Sequence, residues 1–178
     1  MPLYTPLPEG SVRLLRLLPR SDEHSRIECQ LNAYSLLDSE SNHPYEAISY
    51  EWGPEKDQKT VYVNNRALSV RANLYAALSH LQDRFIERII WIDAICINQE
   101  NNDEKALQVQ FMARIYAKAS RVIVWLGQAA GSSDQALEVI RKAAEEQYTE
   151  SAIDKLNQQA VLTLLRREWF QRIWVSGR

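Results

Sequence analysis

Five glycines in 178 residues leave little material for a phosphate-cradling loop, and neither GxGxxG nor GxxxxGK[ST] occurs. GxSxG and HExxH are missing as well, which removes the strained nucleophile turn and the zinc-protease helix. The two cysteines, Cys29 and Cys96, form neither a CxxC nor a disulfide framework. His24, His43 and His80 are not spaced as metal ligands, so no metal is expected. The formal net charge is −2, and basic pairs such as Arg166-Arg167 stand alone. A surface that tracks phosphates needs a basic stripe, so no nucleic-acid partner is expected. Apolar runs are short: Ile89-Ile90-Trp91-Ile92 meets Asp93 long before it could span a bilayer. The proline-rich start, Met1 to Pro8, lacks the basic and apolar regions of a signal peptide. These absences lead to the expectation of a cytoplasmic protein with reduced cysteines and no membrane contact.

What is present is the balance of an ordinary globular protein, 46% hydrophobic and 25% charged. The length suits a single domain over 1–178, with residues 1–11 as a proline-rich lead. Val12 to Leu18 is an apolar run closed by Pro19, and Arg26 to Leu31 alternates, so the two read as an antiparallel strand pair. Asp38 to Pro44 reads as a polar loop. Ala47-Ile48-Ser49-Tyr50 is a strand halted by Gly53-Pro54. Val61 to Val63 and Ala67 to Val70 flank Asn64-Asn65, a hairpin whose asparagines tolerate positive φ.

Leu74, Ala77, Leu78 and Leu81 form one helical stripe. Ile89 to Ile92 reads as a strand covered on both faces. A helix from Asp103 to Ala119 carries a stripe of Leu107, Phe111, Met112, Ile115, Tyr116 and Ala119. Val122 to Leu126 reads as a third buried strand. Ser132-Ser133-Asp134-Gln135 fits a capping box, with Leu137, Ile140 and Ala144 on one side of the helix that follows. Ile153, Leu156, Ala160, Leu164 and Leu165 mark a fourth helix, and Trp169 to Val175 is aromatic and β-prone. Strand and helix alternate as in a mostly parallel sheet flanked by helices, with an antiparallel border of early strands and a hairpin.

Ligands of such sheets sit at the carboxyl ends of the strands, which selects three loops. The first offers Ser49, Tyr50, Trp52 and Gly53, with an indole suited to stacking on a planar ring or to plugging the core. The second offers Asp93, Asn98 and Gln99; the third begins at Trp125-Leu126-Gly127. Asp93 ends an apolar strand and is the one catalytic candidate. It suits either acid/base work on a ligand or the capping of its own tight turn. Cys96, between Ile95 and Ile97, reads as a small buried hydrophobe.

Tyr45-Glu46-Ala47-Ile48-Ser49-Tyr50-Glu51-Trp52-Gly53 resembles the opening block of the fungal heterokaryon-incompatibility (HET) family. Asn73-Leu74 with Ala77-Leu78 matches the next block, and Trp91-Ile92-Asp93-Ala94-Ile95-Cys96-Ile97-Asn98-Gln99 resembles the family's most distinctive signature. Gln108-Val109, Met112, Ile115-Tyr116, Ala119, Val122 to Gly127 and Trp169 to Val175 continue the pattern in order. The resemblance implies a flavodoxin-like, distantly TIR-like sheet and a module that promotes programmed cell death when unlike fungal strains fuse. It implies protein partners or homotypic self-assembly. Some TIR domains cleave NAD with a glutamate near a tryptophan, so an alternative is a nucleotide-binding or NAD-cleaving enzyme with NAD as ligand. In that reading Tyr50, Trp52, Asp93 and Asn98 line the pocket. The chain departs from the pattern after Trp174, where the family usually runs on to a glutamate. Here Val175-Ser176-Gly177-Arg178 follows, so the domain reads as cut short after Val175 and catalysis is not expected. An inactive remnant that keeps only the fold is the third reading.

Overall fold

In the computed structural model, residues 2–20, 22, 25–37, 44–145 and 155–173 are described. His24, His43, Ile153 and most of the loop expected over Asp38 to Pro44 lie outside them, as do residues 174–178. The chain divides into two compact units, 1–125 and 126–178.

The first unit holds one mixed sheet. Its strands are β1 Ser11–Leu17, β2 Glu28–Ser35, β3 Glu46–Tyr50, β4 Gln58–Val63, β5 Arg66–Arg71, β6 Arg88–Trp91 and β7 Arg121–Trp125, in the order β5-β4-β2-β1-β6-β3-β7. The helices of this unit are α1 Ala72–Leu81, a single turn α2 Asp93–Cys96, and α3 Asn102–Lys118. The expected class therefore holds: β6, β3 and β7 form a parallel trio, and the early strands and hairpin make a border on one side of it. The border is antiparallel at β1–β2, β1–β6 and β4–β5, and parallel at β2–β4.

Burial explains the sequence patterns. β1 is buried along almost its whole length, which is why Val12 to Leu17 reads as a mainly apolar run, broken by Arg13 and Arg16, rather than an alternation. Asn64 and Asn65 have φ of 50° and 61°, the two positive values that a type I′ hairpin turn needs. Leu74, Ala77 and Leu78 bury the expected face of α1. Ile90, Trp91 and Ile92 are fully enclosed at the centre of the core. Asn101 caps α3, its side-chain oxygen accepting from the N–H groups of Asp103 and Glu104.

Two expectations in this unit fail. Leu107 does not join the α3 stripe; it is 56% exposed, and Gln108 is buried in its place. Residues 108, 111, 112 and 115 share a face, which leaves 107 about 100° away. Inside, the Gln108 amide N–H donates to the Ser11 carbonyl at 3.0 Å, while its Oε1 has no hydrogen-bond partner among the described residues. Nor is β7 a buried strand. It is the last of the sheet, and Val122 and Val124 are 47% and 39% exposed.

The second unit carries α4 Ser133–Ala144, α5 Lys155–Leu165 and α6 Glu168–Ile173 around a small core of Ala136, Ala160 and Leu164. The capping box expected at Ser132 to Gln135 does not form. Ser132 is not extended (φ −94°, ψ 25°) and its side chain makes no cap bond, while the Ser133 hydroxyl accepts from the Ala130 N–H. Leu137 and Ile140, on one side of α4, and Leu165 of α5 are exposed. The β-prone segment is helical over Glu168–Ile173, with Trp169 and Phe170 edge to face at 5.1 Å. A helical turn satisfies its own backbone, whereas a strand needs a neighbour. Among the described residues no helix is long and apolar enough to cross a membrane.

Candidate functional site

The carboxyl ends of β3 and β6 open on one rim. Trp52, two residues past β3, donates its indole N–H to an Asp93 carboxylate oxygen at 3.0 Å, so the tryptophan-glycine turn and the aspartate-led turn meet. The other Asp93 oxygen accepts from the Ala94 N–H at 2.7 Å, and the Asp93 carbonyl accepts from Gln99 Nε2 at 3.0 Å and from the Ile97 N–H. What reads as a loop after β6 is the one-turn helix α2, held by Asp93 at its start and by Gln99 from beyond its end.

Gly53 makes the turn at φ +74°, where a side chain is strained, and a Cβ there would stand 3.3 Å from Asn73 Cβ. Its N–H donates to the Glu51 carboxylate at 2.9 Å and its carbonyl accepts from Arg71 at 2.7 Å. The Arg71 guanidinium also lies 5.1 Å from the Trp52 ring centroid, so this indole face already holds a cation. Asn73, at the start of α1, donates to the Glu51 carbonyl at 2.5 Å and accepts from the Trp125 indole N–H at 2.9 Å. Trp125 in turn lies 5.3 Å from the His80 ring. The start of α1 thus ties the ends of β3 and β7 together.

A cleft of about 140 Å³ lies beside this turn, lined by Tyr50, Trp52, Arg71, Ala94 and Gln99 among others. Three of the candidate residues, Tyr50, Trp52 and Gln99, therefore share one wall, and Asp93 touches it through Trp52. Ser49 does not: alternation along β3 turns it to the face opposite Tyr50. Asn98 is drawn away, its N–H donating to Glu104 at 2.9 Å and its side-chain oxygen accepting from Glu100. The buried Gln99 Oε1 has no hydrogen-bond donor among the described residues. A larger groove, about 480 Å³, lies in the second unit between α4 and α5, and among the described residues no charged side chain lines it.

Behind the rim sits a polar cluster that sequence reasoning missed. Arg13 and Glu104 form an ion pair with side chains only 4% and 13% exposed, at 2.5 Å. Arg13 also donates to the Thr5 carbonyl at 2.6 Å and the Cys96 carbonyl at 3.3 Å, and Tyr4 donates to the Ile95 carbonyl at 3.1 Å. The bonds to Ile95 and Cys96 satisfy carbonyls of α2. Burial pushes the Glu104 carboxyl up, but the bonds from Arg13 and the Asn98 N–H outweigh it and hold the pKa below the ordinary value. Burial raises Tyr4 to about 12. The one available signal was an arginine inside a run otherwise typical of a doubly covered strand.

Cys96 is fully enclosed, and burial pushes its thiol up to about 12, the state of an inert core residue. Cys29 is also buried and free, with its thiol raised to about 12 by the same cause. Among the described residues no group of three His, Cys, Asp or Glu side chains is placed to hold a metal ion.

The family model described as heterokaryon incompatibility protein (HET) matches residues 45–176. The chain is 28% identical to heterokaryon incompatibility protein 6, OR allele, of Neurospora crassa, over 94% of its own length. It spans about a third of that curated relative, 31%. No solved structure matches the chain. The matched span begins at Tyr45, just ahead of β3, and takes in the whole rim from the Trp52-Gly53 turn through Gln99 to the end of β7. This chain belongs to the heterokaryon incompatibility (HET) family.

Proposed function

We propose that this HET domain promotes programmed cell death in filamentous fungi, and that it acts through protein–protein assembly rather than through a reaction at the rim. The observation that carries the reading is the exposed edge strand β7, whose apolar Val122 and Val124 stand in solvent. Monomers generally blunt such edges with charge, proline or a covering element. The polar groups of the rim point the same way. Both Asp93 carboxylate oxygens accept bonds from Trp52 and Ala94, and Arg71 occupies one side of the Trp52 ring. The signature residues therefore build the turn that sets the strand ends.

Expression of the chain in a filamentous fungus, followed by growth and uptake of a viability dye, tests the proposal. The expected result is growth arrest with dye-positive cells; normal growth at verified protein levels would overturn it. A second reading has one observation in its favour. Gln99 Oε1 is buried without a donor among the described residues at the wall of the 140 Å³ cleft, which suits a small ligand with an N–H group, such as part of a nucleotide. Incubation with NAD, read by chromatography and by thermal shift, distinguishes the two. Cleavage or a clear shift supports the ligand reading, and unchanged NAD with no shift removes it.

A further inference from the structure

The edge of β7 has a defined hydrogen-bond phase. The Tyr45 carbonyl accepts from the Ser120 N–H at 2.9 Å, so residues 45, 47 and 49 turn their amide groups toward β7. Glu46 lies opposite Arg121 and Ser49 opposite Val124 in the parallel register. The β7 residues that complete this ladder are then Arg121, Ile123 and Trp125. Val122 and Val124 aim their N–H and C=O groups outward, and no partner for these groups occurs among the described residues. Free ladder groups and exposed valine side chains thus coincide on the same two residues.

Resting on the assembly reading above, we propose that the partner on this edge is a second copy of the chain, paired antiparallel about a two-fold axis at Ile123. In that register Val122 faces Val124 of the copy and Val124 faces its Val122, so every outward N–H meets a C=O. The four valines lie on one face of the joined sheet and cover one another. Arg121, whose guanidinium is ion-paired with Glu46 of its own chain, comes opposite Trp125 of the copy. The alternatives lack this match. A slip that centres the pair on Arg121, or a parallel in-register pair, sets Arg121 against itself, and like charges directly opposed are destabilising. The two-fold arrangement also closes on itself and consumes the edge, so it ends at a dimer.

The register gives the test. Opposed residues of a hydrogen-bonded antiparallel pair have Cα atoms about 5.5 Å apart, within disulfide reach. Val122→Cys and Val124→Cys proteins are made separately, mixed and mildly oxidised; the native Cys29 and Cys96 are buried and contribute no background. The proposal expects a covalent dimer on a non-reducing gel from the mixture and none from either protein alone. A dimer from either single variant, or none from the mixture, overturns the register. The Val122→Lys/Val124→Lys protein, altered only at exposed positions, is expected to keep its circular dichroism spectrum and to dissociate with a constant raised roughly tenfold or more. Wild-type assembly that is unchanged by the lysines overturns the edge proposal and leaves assembly standing. A wild-type chain that is monomeric at every concentration overturns both.

Discussion

Replacing Arg13 by methionine tests the polar cluster behind the rim most sharply. The substitution keeps the apolar stem and removes the guanidinium, so the Glu104 carboxylate, 13% exposed, loses both of its Arg13 bonds. The Thr5 and Cys96 carbonyls lose a donor at the same time. Breaking one side of a buried pair costs about 3–5 kcal/mol, because the remaining charge stays desolvated. Glu104→Leu alone is expected to cost a similar amount by stranding the guanidinium, which has Cys96 and Thr5 carbonyls but no counter-charge. The double variant Arg13→Met/Glu104→Leu removes both charges and is expected to lose far less than the sum, by at least about 3 kcal/mol. Urea denaturation followed by tryptophan fluorescence at neutral pH measures all four corners of the cycle. Losses below about 1 kcal/mol for each single variant, adding simply in the double, would refute the reasoning, since that is the behaviour of an exposed ion pair.

Further outcomes follow from the same contacts. Because the folded-state pKa of Glu104 is depressed, its contribution is fully present above its unfolded pKa and is lost as pH falls through the folded value. Wild type should therefore lose stability on acidification more steeply than Arg13→Met/Glu104→Leu, in urea titrations between neutral pH and the carboxylate range; parallel curves would count against it. Asp93→Ala removes the acceptor of the Trp52 indole and the Ala94 N–H and is expected to cost about 1–3 kcal/mol. No loss of stability with loss of cell death would instead make Asp93 functional. Gly53→Ala is expected to cost about 1–2 kcal/mol from its positive φ, with the Asn73 contact adding to it. Leu107→Gln, at an exposed site, should stay within about 0.5 kcal/mol of wild type, whereas Gln108→Leu should lose more by stranding the Ser11 carbonyl. Cys96 should react with maleimide only as fast as the protein unfolds, so rapid labelling without denaturant would contradict its burial.

The sheet was legible wherever burial is one-sided or complete. The enclosed run Ile90-Trp91-Ile92, the stripe of α1 and the twin asparagines of the hairpin each leave a local pattern with a single structural solution. Edge and interior strands do not differ in this way. Val122 to Trp125 is as apolar as Ile89 to Ile92, and only the strand order makes one an edge and the other an interior strand. Helix phase was ambiguous by one residue in α3, because Leu107 is apolar and Gln108 is not, and a hydrogen bond 97 positions away in sequence decided between them. At the rim, Trp52, Tyr50 and Gln99 could be placed together from the rule that sites lie at strand ends. Arg71 and Asn73 could not. They act from the end of β5 and the first turn of α1 through contacts with the Trp52-Gly53 turn and with Trp125, which no local spacing encodes.

Assembly through an open sheet edge is the claim on which the functional account stands. Light scattering of the purified 178-residue chain across a hundredfold or so range of concentration measures it directly. The account predicts a mass that climbs from that of one chain, 20.6 kDa, toward twice that value as concentration rises. A mass fixed at 20.6 kDa throughout, with the protein folded, would contradict it.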